Sequence, residues 1–106
     1  MADNDNYIFL VTAPSIEEAR KIGNYLVKNR IAACTNIVNN IESIYRWKAK
    51  IQNDKEILLI IKTTEDRSNE LIDTIERIHS YDTPECIGFK ILKGSEKYLK
   101  WLSEST

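Results

Sequence analysis

One histidine, two cysteines and a short run of loop residues hold most of the chemistry open to this chain. His79 with Glu85 is the only side-chain pair that invites a transition metal. Imidazole suits copper, nickel or zinc, and copper(II) binds such ligands most strongly among the first-row divalent ions. Two ligands per chain are few, so a subunit interface would have to gather more. The competing reading is a histidine at the C-terminal end of a helix, set against the dipole and the last carbonyls. Tyr81, Pro84 and Glu85 form a rigid loop leading into a strand. They either rim a pocket between subunits, or Pro84 stops the helix and Glu85 pairs with a cation such as Lys62. Lys62 and Thr63 end a strand expected near that loop. A lysine there suits an anion or carboxylate, and equally suits a solvated strand end. Cys34 opens an edge strand among small residues. It reads first as a buried thiol acting as a small hydrophobe, with a metal or redox role as the alternative. Cys34 and Cys86 make no C-x-x-C, and one histidine cannot complete a structural zinc site. No serine or cysteine sits beside His79 as a nucleophile, so an enzyme is the least favoured class.

The chain has 106 residues, enough for a single domain spanning 1–106, with a polar segment 1–6 expected to fray. Apolar residues make up 42%, which excludes a disordered chain. Fifteen Lys+Arg stand against 16 Asp+Glu, so no basic excess exists to bind nucleic acid through counterion release. The longest apolar run, Ile57–Ile61, is far short of the ~20 residues that span a bilayer. The N-terminus lacks the positive start and apolar stretch of a signal peptide. The expectation is a soluble, cytoplasmic protein with no nucleic-acid or membrane partner.

These candidate residues must be positioned by regular elements. Tyr7 to Val11 is a continuous β-favouring run, which suits a strand covered on both faces. Ser15-Ile16-Glu17-Glu18 is a capping-box pattern, and Ile16, Ala19, Ile22, Leu26 and Val27 follow at helical spacing. Two strands come next, one from Ile31 towards Trp47 and one ending in Ile57 to Thr63. Gln52-Asn53-Asp54 has turn composition, and Asn39-Asn40 suggests a kink. Leu71, Ile72, Ile75 and Ile78 mark a second helix, with Asp66 or Thr64 as cap and an end near His79-Ser80. Cys86 to Ile91 alternates, with Ile87, Phe89 and Ile91 as the apolar phase. Gly94-Ser95 starts a short C-terminal helix carrying Tyr98, Leu99 and Leu102 on one side. The order is βαββαβ plus a helix, an α+β ferredoxin-like sandwich. Right-handed crossovers give strand order 4-1-3-2, with Cys34 and Cys86 on opposite edges, too far apart to bridge.

The middle of the chain is too long for its own domain. Residues 31–64 supply two strands of about 15 residues each, or about 50 Å. A compact chain of this size is about 35 Å across. The overshoot carries Ile41, Ile44, Tyr45, Trp47 and Ile51. An exposed two-stranded ribbon is marginal, and an apolar edge invites pairing. A symmetric oligomer that packs each ribbon on a neighbour is the expected repair, with those five residues at its interface. A shorter hairpin folded back on the domain is the alternative.

Six segments, in order and spacing, carry a family resemblance: Leu10 to Pro14, Ala32 to Asn36, Ser43 to Trp47, Ile61 to Thr64, His79 to Glu85, and Tyr98 to Leu102. Over nearly its whole length the chain resembles the CutA divalent-cation tolerance family. The resemblance implies a ferredoxin-like subunit with a long β-hairpin, a homotrimer of PII-like architecture, and a link to tolerance of copper and other divalent metals. It brings no established catalytic activity. Two departures stand out. The family's glycine two residues after the hairpin tryptophan is Ala49 here, which leaves the turn at either Lys48-Ala49 or Asn53-Asp54. A copper site described for some bacterial members uses a cysteine on the first strand, where this chain has Val11.

Other βαββαβ modules fit less well. The third strand has no stacking aromatics for RNA, and Thr12-Ala13-Pro14-Ser15 lacks the cysteines of a metallochaperone. Two readings remain. One is a trimer that binds a divalent metal weakly through His79, Glu85 or interface carboxylates and contributes to metal tolerance. The other is a PII-like signalling or scaffold trimer that holds a small ligand or a protein partner's tail. Its inter-subunit pocket would involve Cys34, Lys62, Thr63, Tyr81, Pro84 and Glu85.

Overall fold

The computed structural model describes residues 5–106. The chain runs β1 (Asn6–Ala13), α1 (Ile16–Lys28), β2 (Cys34–Trp47), β3 (Lys50–Thr64), α2 (Glu65–Ile78), β4 (Cys86–Lys90) and α3 (Glu96–Glu104). The four strands form one antiparallel sheet in the order β2-β3-β1-β4. This is the expected ferredoxin-like order, and it leaves Cys34 and Cys86 on opposite edges. Both thiols are free.

The expectation that residues 1–6 fray is corrected at Asp5 and Asn6. Residues 1–4 lie outside the described part, but Asn6 already opens β1 opposite Thr64. The Asp5 carbonyl accepts from Glu65 N at 2.8 Å, and the Asn6 carbonyl accepts from Ile91 N at 2.8 Å. Polar composition did not prevent order here, because these backbone groups complete the sheet and the start of α2.

Alternation along β1 and β3 divides the sheet into two faces. Phe9, Val11 and Ala13 with Ile57, Leu59 and Ile61 point towards the helices and meet Ala19, Ile22, Leu26, Leu71 and Ile75 in one buried cluster. Ser15 caps α1, its Oγ accepting from Glu18 N at 3.2 Å. The second half of the capping box is diverted: the Glu18 carboxylate accepts from Ser80 N instead, at 2.9 Å. Thr64 is the N-cap residue of α2, but its hydroxyl donates to Asp66 and accepts no helix N–H.

The other face carries Val38, Leu58, Leu10 and Ile87 by cross-strand pairing. α3 covers one end of it, with Leu102 buried and Ser103 Oγ donating to Asn6 Oδ1 at 3.0 Å. The rest is uncovered. The apolar phase of β4 lies on this side, so Ile87 and Phe89 are exposed while Cys86 and Gly88 face the helices.

The hairpin overshoots as its length requires. The molecule measures 49 × 25 × 22 Å, against a diameter near 35 Å for a compact chain of this size. The register of β2 on β3 shifts between Val38 and Ile41. Asn40 takes φ 57° at this bulge, and Asn39 Oδ1 accepts from Asn40 N. Beyond the bulge, among the described residues, the two strands pair only with each other, and Ile44 and Ile51 are 66% and 63% exposed. The turn is Lys48-Ala49. Asn53 and Asp54 lie inside β3, paired with Ile44 and Ser43, which excludes the alternative turn.

Lys48 and Ala49 have φ of 50° and 66°, the pairing of positive values that a two-residue hairpin turn demands. Alanine in that region costs about 1 kcal/mol relative to glycine. Ala49→Gly is therefore expected to stabilise the protein by about 0.5–1 kcal/mol, read as a raised denaturation midpoint at constant slope.

Candidate functional site

α2 ends at Ile78, and His79 leaves it with φ −73°, ψ 145°. The imidazole turns inward and is buried. Its Nε2 lies 2.7 Å from the Thr12 carbonyl, which can only accept, so the proton sits on Nε2. Nδ1 accepts from Tyr81 N at 3.0 Å, with Glu18 Oε2 at 3.4 Å. The ring packs on Tyr81, centroids 4.8 Å apart. His79 thus ties β1, α1 and the following loop together. The last carbonyls of its own helix, expected as partners, are not what the ring contacts.

The loop from Ser80 to Glu85 faces the inner side of the hairpin stem, and an open cleft of about 1010 Å³ lies between them. Thr12 and Glu56 line it from the sheet. Glu42, Ser43, Ile44, Tyr45, Trp47 and Lys48 line it from the hairpin, and Ser80 to Thr83 with Glu85 from the loop. Glu56 is buried although charged, and its Oε2 accepts from Tyr81 Oη at 2.8 Å. Burial, then the Glu56 carboxylate, push the Tyr81 phenol well above its usual range. The Tyr45 hydroxyl donates to Asp54, and that bond raises its pKa as well. Partial burial and the neighbouring Glu56 raise Glu85. On the helix side of β4, burial and then Glu76 and Glu85 push the Cys86 thiol up to about 11.

The residues singled out as one pocket fall into two groups within the chain. Tyr81 and Glu85 line the cleft, with Pro84 between Thr83 and Glu85 on the same loop, and Ile44, Tyr45 and Trp47 join them from the hairpin. Cys34, Lys62 and Thr63 lie at the other end of the sheet. Lys62 pairs with Ile8 and Cys34, whereas the loop delivers the chain to Cys86 opposite Val11. Antiparallel pairing of β1 with β3 forces this separation. Lys62 Nζ donates to Asn36 Oδ1 at 2.7 Å and lies over the Tyr98 ring, so it is not the partner of Glu85. Thr63 is buried, its hydroxyl donating to the Ile31 carbonyl at 2.7 Å.

Sequence reasoning missed Glu56, the buried carboxylate of the cleft. A signal was present: Glu56, last of the charged run Asp54-Lys55-Glu56, directly precedes the apolar run Ile57–Ile61, in phase with Leu58 and Ile60. Among the described residues no three His, Cys, Asp or Glu side chains converge.

The raised pKa of Glu85 has a sign that can be tested. A carboxyl whose folded value exceeds its unfolded one adds stability below the unfolded pKa and loses it as pH rises through the folded value. Glu85→Gln is therefore expected to melt higher than the parent at pH 7, and the gap should close by about pH 4. Thermal unfolding at the two pH values checks this.

Comparison with known proteins gives a consistent answer. Residues 7–105 match the family model described as CutA1 divalent ion tolerance protein. The "Divalent-cation tolerance protein CutA" of Thermus thermophilus is 42% identical over 99 residues, covering 93% of this chain and 96% of that protein. The "Protein CutA, chloroplastic" of Arabidopsis thaliana is 46% identical over 99 residues, again 93% of this chain. The chain spans about half, 54%, of that longer relative. Among solved structures, CutA1 from Oryza sativa superposes with a TM-score of 0.94 at 41% identity, covering 97% of this chain and 94% of that one.

Proposed function

The chain belongs to the CutA1 divalent ion tolerance protein family, and from that premise we propose that it acts as a homotrimer contributing to tolerance of divalent metal ions, copper among them. The observation that carries the reading is the hairpin stem. Beyond the bulge, Ile44, Tyr45, Trp47 and Ile51 are exposed on a ribbon that pairs with nothing else among the described residues. The uncovered sheet face, with Ile87 and Phe89, adds apolar surface, and β2 and β4 each leave an unpaired edge. Sister copies satisfy all three needs at once.

Metal contact in this proposal is weak and lies at subunit seams. Glu85 is free to supply a carboxylate from the cleft rim. His79 supplies Nδ1 only after giving up the Tyr81 N–H, a loss of about 0.5–1.5 kcal/mol, and the remaining ligands come from adjacent copies. The proposal contains no catalytic step. Calorimetric titration of copper(II) into the assembled protein is expected to show saturable weak binding that the double change His79→Ala, Glu85→Ala abolishes. Unchanged binding in that variant removes both residues as ligands, and a titration with no saturable heat overturns direct metal contact.

A further inference from the structure

We propose that Glu18 is the second acceptor of a two-position hydrogen bond. When a ligand takes the lone pair of His79 Nδ1, the Tyr81 amide passes to the Glu18 carboxylate, and the Ser80–Glu85 loop keeps its anchor. The proposal deepens the metal reading above and rests on it only for the identity of that ligand.

The groups already stand together. Tyr81 N donates to His79 Nδ1 at 3.0 Å, and Ser80 N donates to Glu18 Oε2 at 2.9 Å. Two consecutive amides are therefore spent on one His–Glu pair, whose Nδ1 and Oε2 are 3.4 Å apart. Among the described residues, Ser80 N is the one hydrogen-bond donor on that carboxylate. A carboxylate offers about four acceptor positions, so it can take a second amide without losing the first. Glu18 is held from its own side as well, its backbone N–H donating to Ser15 Oγ at 3.2 Å. In a complete capping box its carboxylate would turn back to the N-cap amide. Here it is turned to the loop.

Burial decides which position is filled. The His79 side chain is fully buried, whereas that of Glu18 is 19% exposed. With the Tyr81 amide on Glu18 and no ligand present, Nδ1 would be a buried acceptor without a donor, which is costly. Glu18 reaches solvent and has no such need, so the amide stays on Nδ1. A ligand on Nδ1 reverses the order. The amide is then the group left without a partner, and a charged acceptor binds an N–H more strongly than a neutral one. The Nε2 proton remains on the Thr12 carbonyl at 2.7 Å, which keeps the ring oriented throughout. The Tyr81 side chain need not follow its amide, because its hydroxyl is held by Glu56. Glu18 is thus a positioning residue. It offsets the bond that His79 gives up without touching the ligand.

His79 is the only histidine of the chain, so in untagged protein NMR reads its ring nitrogens without ambiguity, alongside hydrogen exchange of the Tyr81 amide. The first arm needs no ligand. His79→Phe keeps a ring against Tyr81 and removes Nδ1. Tyr81 exchange is expected to stay within about threefold of the parent. Adding Glu18→Ala should speed it about tenfold or more, and adding Glu18→Gln, whose carbonyl still accepts both amides, should not. Exchange about tenfold faster in His79→Phe alone overturns the proposal. So does loss of the fold in both His79→Phe and His79→Leu, since a loop with a second acceptor survives loss of the first. The second arm adds zinc(II), which imidazole ligates, to the parent. The expected result is a shifted Nδ1 signal with the Tyr81 amide still protected, and zinc affinity about fivefold weaker in Glu18→Ala. A shifted signal with protection lost overturns the hand-over alone. An Nδ1 signal that never moves defeats His79 as a metal ligand, and the first arm then decides the hand-over by itself.

Discussion

Trp47→Asp is expected to turn the proposed trimer into single, folded subunits at micromolar concentration. Trp47 lies beside the Lys48-Ala49 turn, paired with Lys50 and 42% exposed. Covering that remaining surface on a neighbour contributes about 2 kcal/mol per copy at ~25 cal/mol per Å². Three copies make about 6 kcal/mol, roughly four decades in the assembly constant. An aspartate loses this contribution and adds an unpaired carboxylate that has to be desolvated. The core that folds the subunit is remote from the change. Val11, Leu59, Leu71 and Ile75 are fully buried against the helices, so far-UV circular dichroism should remain that of the parent. Trp47→Phe keeps an aromatic surface and should keep the assembly. A trimer that persists in Trp47→Asp, seen by sedimentation, would show that the hairpin is not what holds the copies together.

The second large effect is on stability. Gly88 sits opposite Phe9 on the edge strand β4. A Cβ at Gly88 would lie 2.5 Å from Phe9 Cε2 and Cζ. Phe9 is buried in the main cluster, so its ring cannot turn aside without displacing its neighbours. Overpacking of this kind costs about 1–3 kcal/mol, and Gly88→Ala should lie at the upper end. At about 4–8 °C per kcal/mol for a domain of this size, the melting temperature should fall by roughly 10–20 °C. Phe9→Leu shortens the offending side chain. In a double-mutant cycle the pair should then be markedly less destabilised than the sum of its singles. Strict additivity would mean that the clash is not the cause.

Part of this molecule was legible because the signals were local. The capping serine Ser15 and the apolar spacing behind it mark α1, and the five-residue run Ile57–Ile61 marks the central strand. The kink at Asn39-Asn40 is realised as a bulge with Asn40 at positive φ. The candidate site was only half legible. The run from His79 to Glu85 was singled out for its residue types, and Tyr81 and Glu85 do line the cleft. Lys62 looked like a partner for Glu85, yet its partner is Asn36 across the hairpin. His79 reads either as half of a metal pair or as a helix-end histidine, and both ring nitrogens are engaged, by Thr12 and Tyr81.

The sequence by itself determined the element order, the helix faces and the surplus length of the hairpin, because each follows from short-range periodicity and from counting residues. Tertiary structure alone decided that Glu56 meets Tyr81, that Lys62 stands apart from Glu85, and that the turn falls on Lys48-Ala49. The first two depend on the antiparallel registers of strands far apart in the chain, where sliding by two residues keeps every local pattern yet changes every neighbour. The turn depends on positive φ at Lys48 and Ala49, values their residue types disfavour and the closing hairpin imposes.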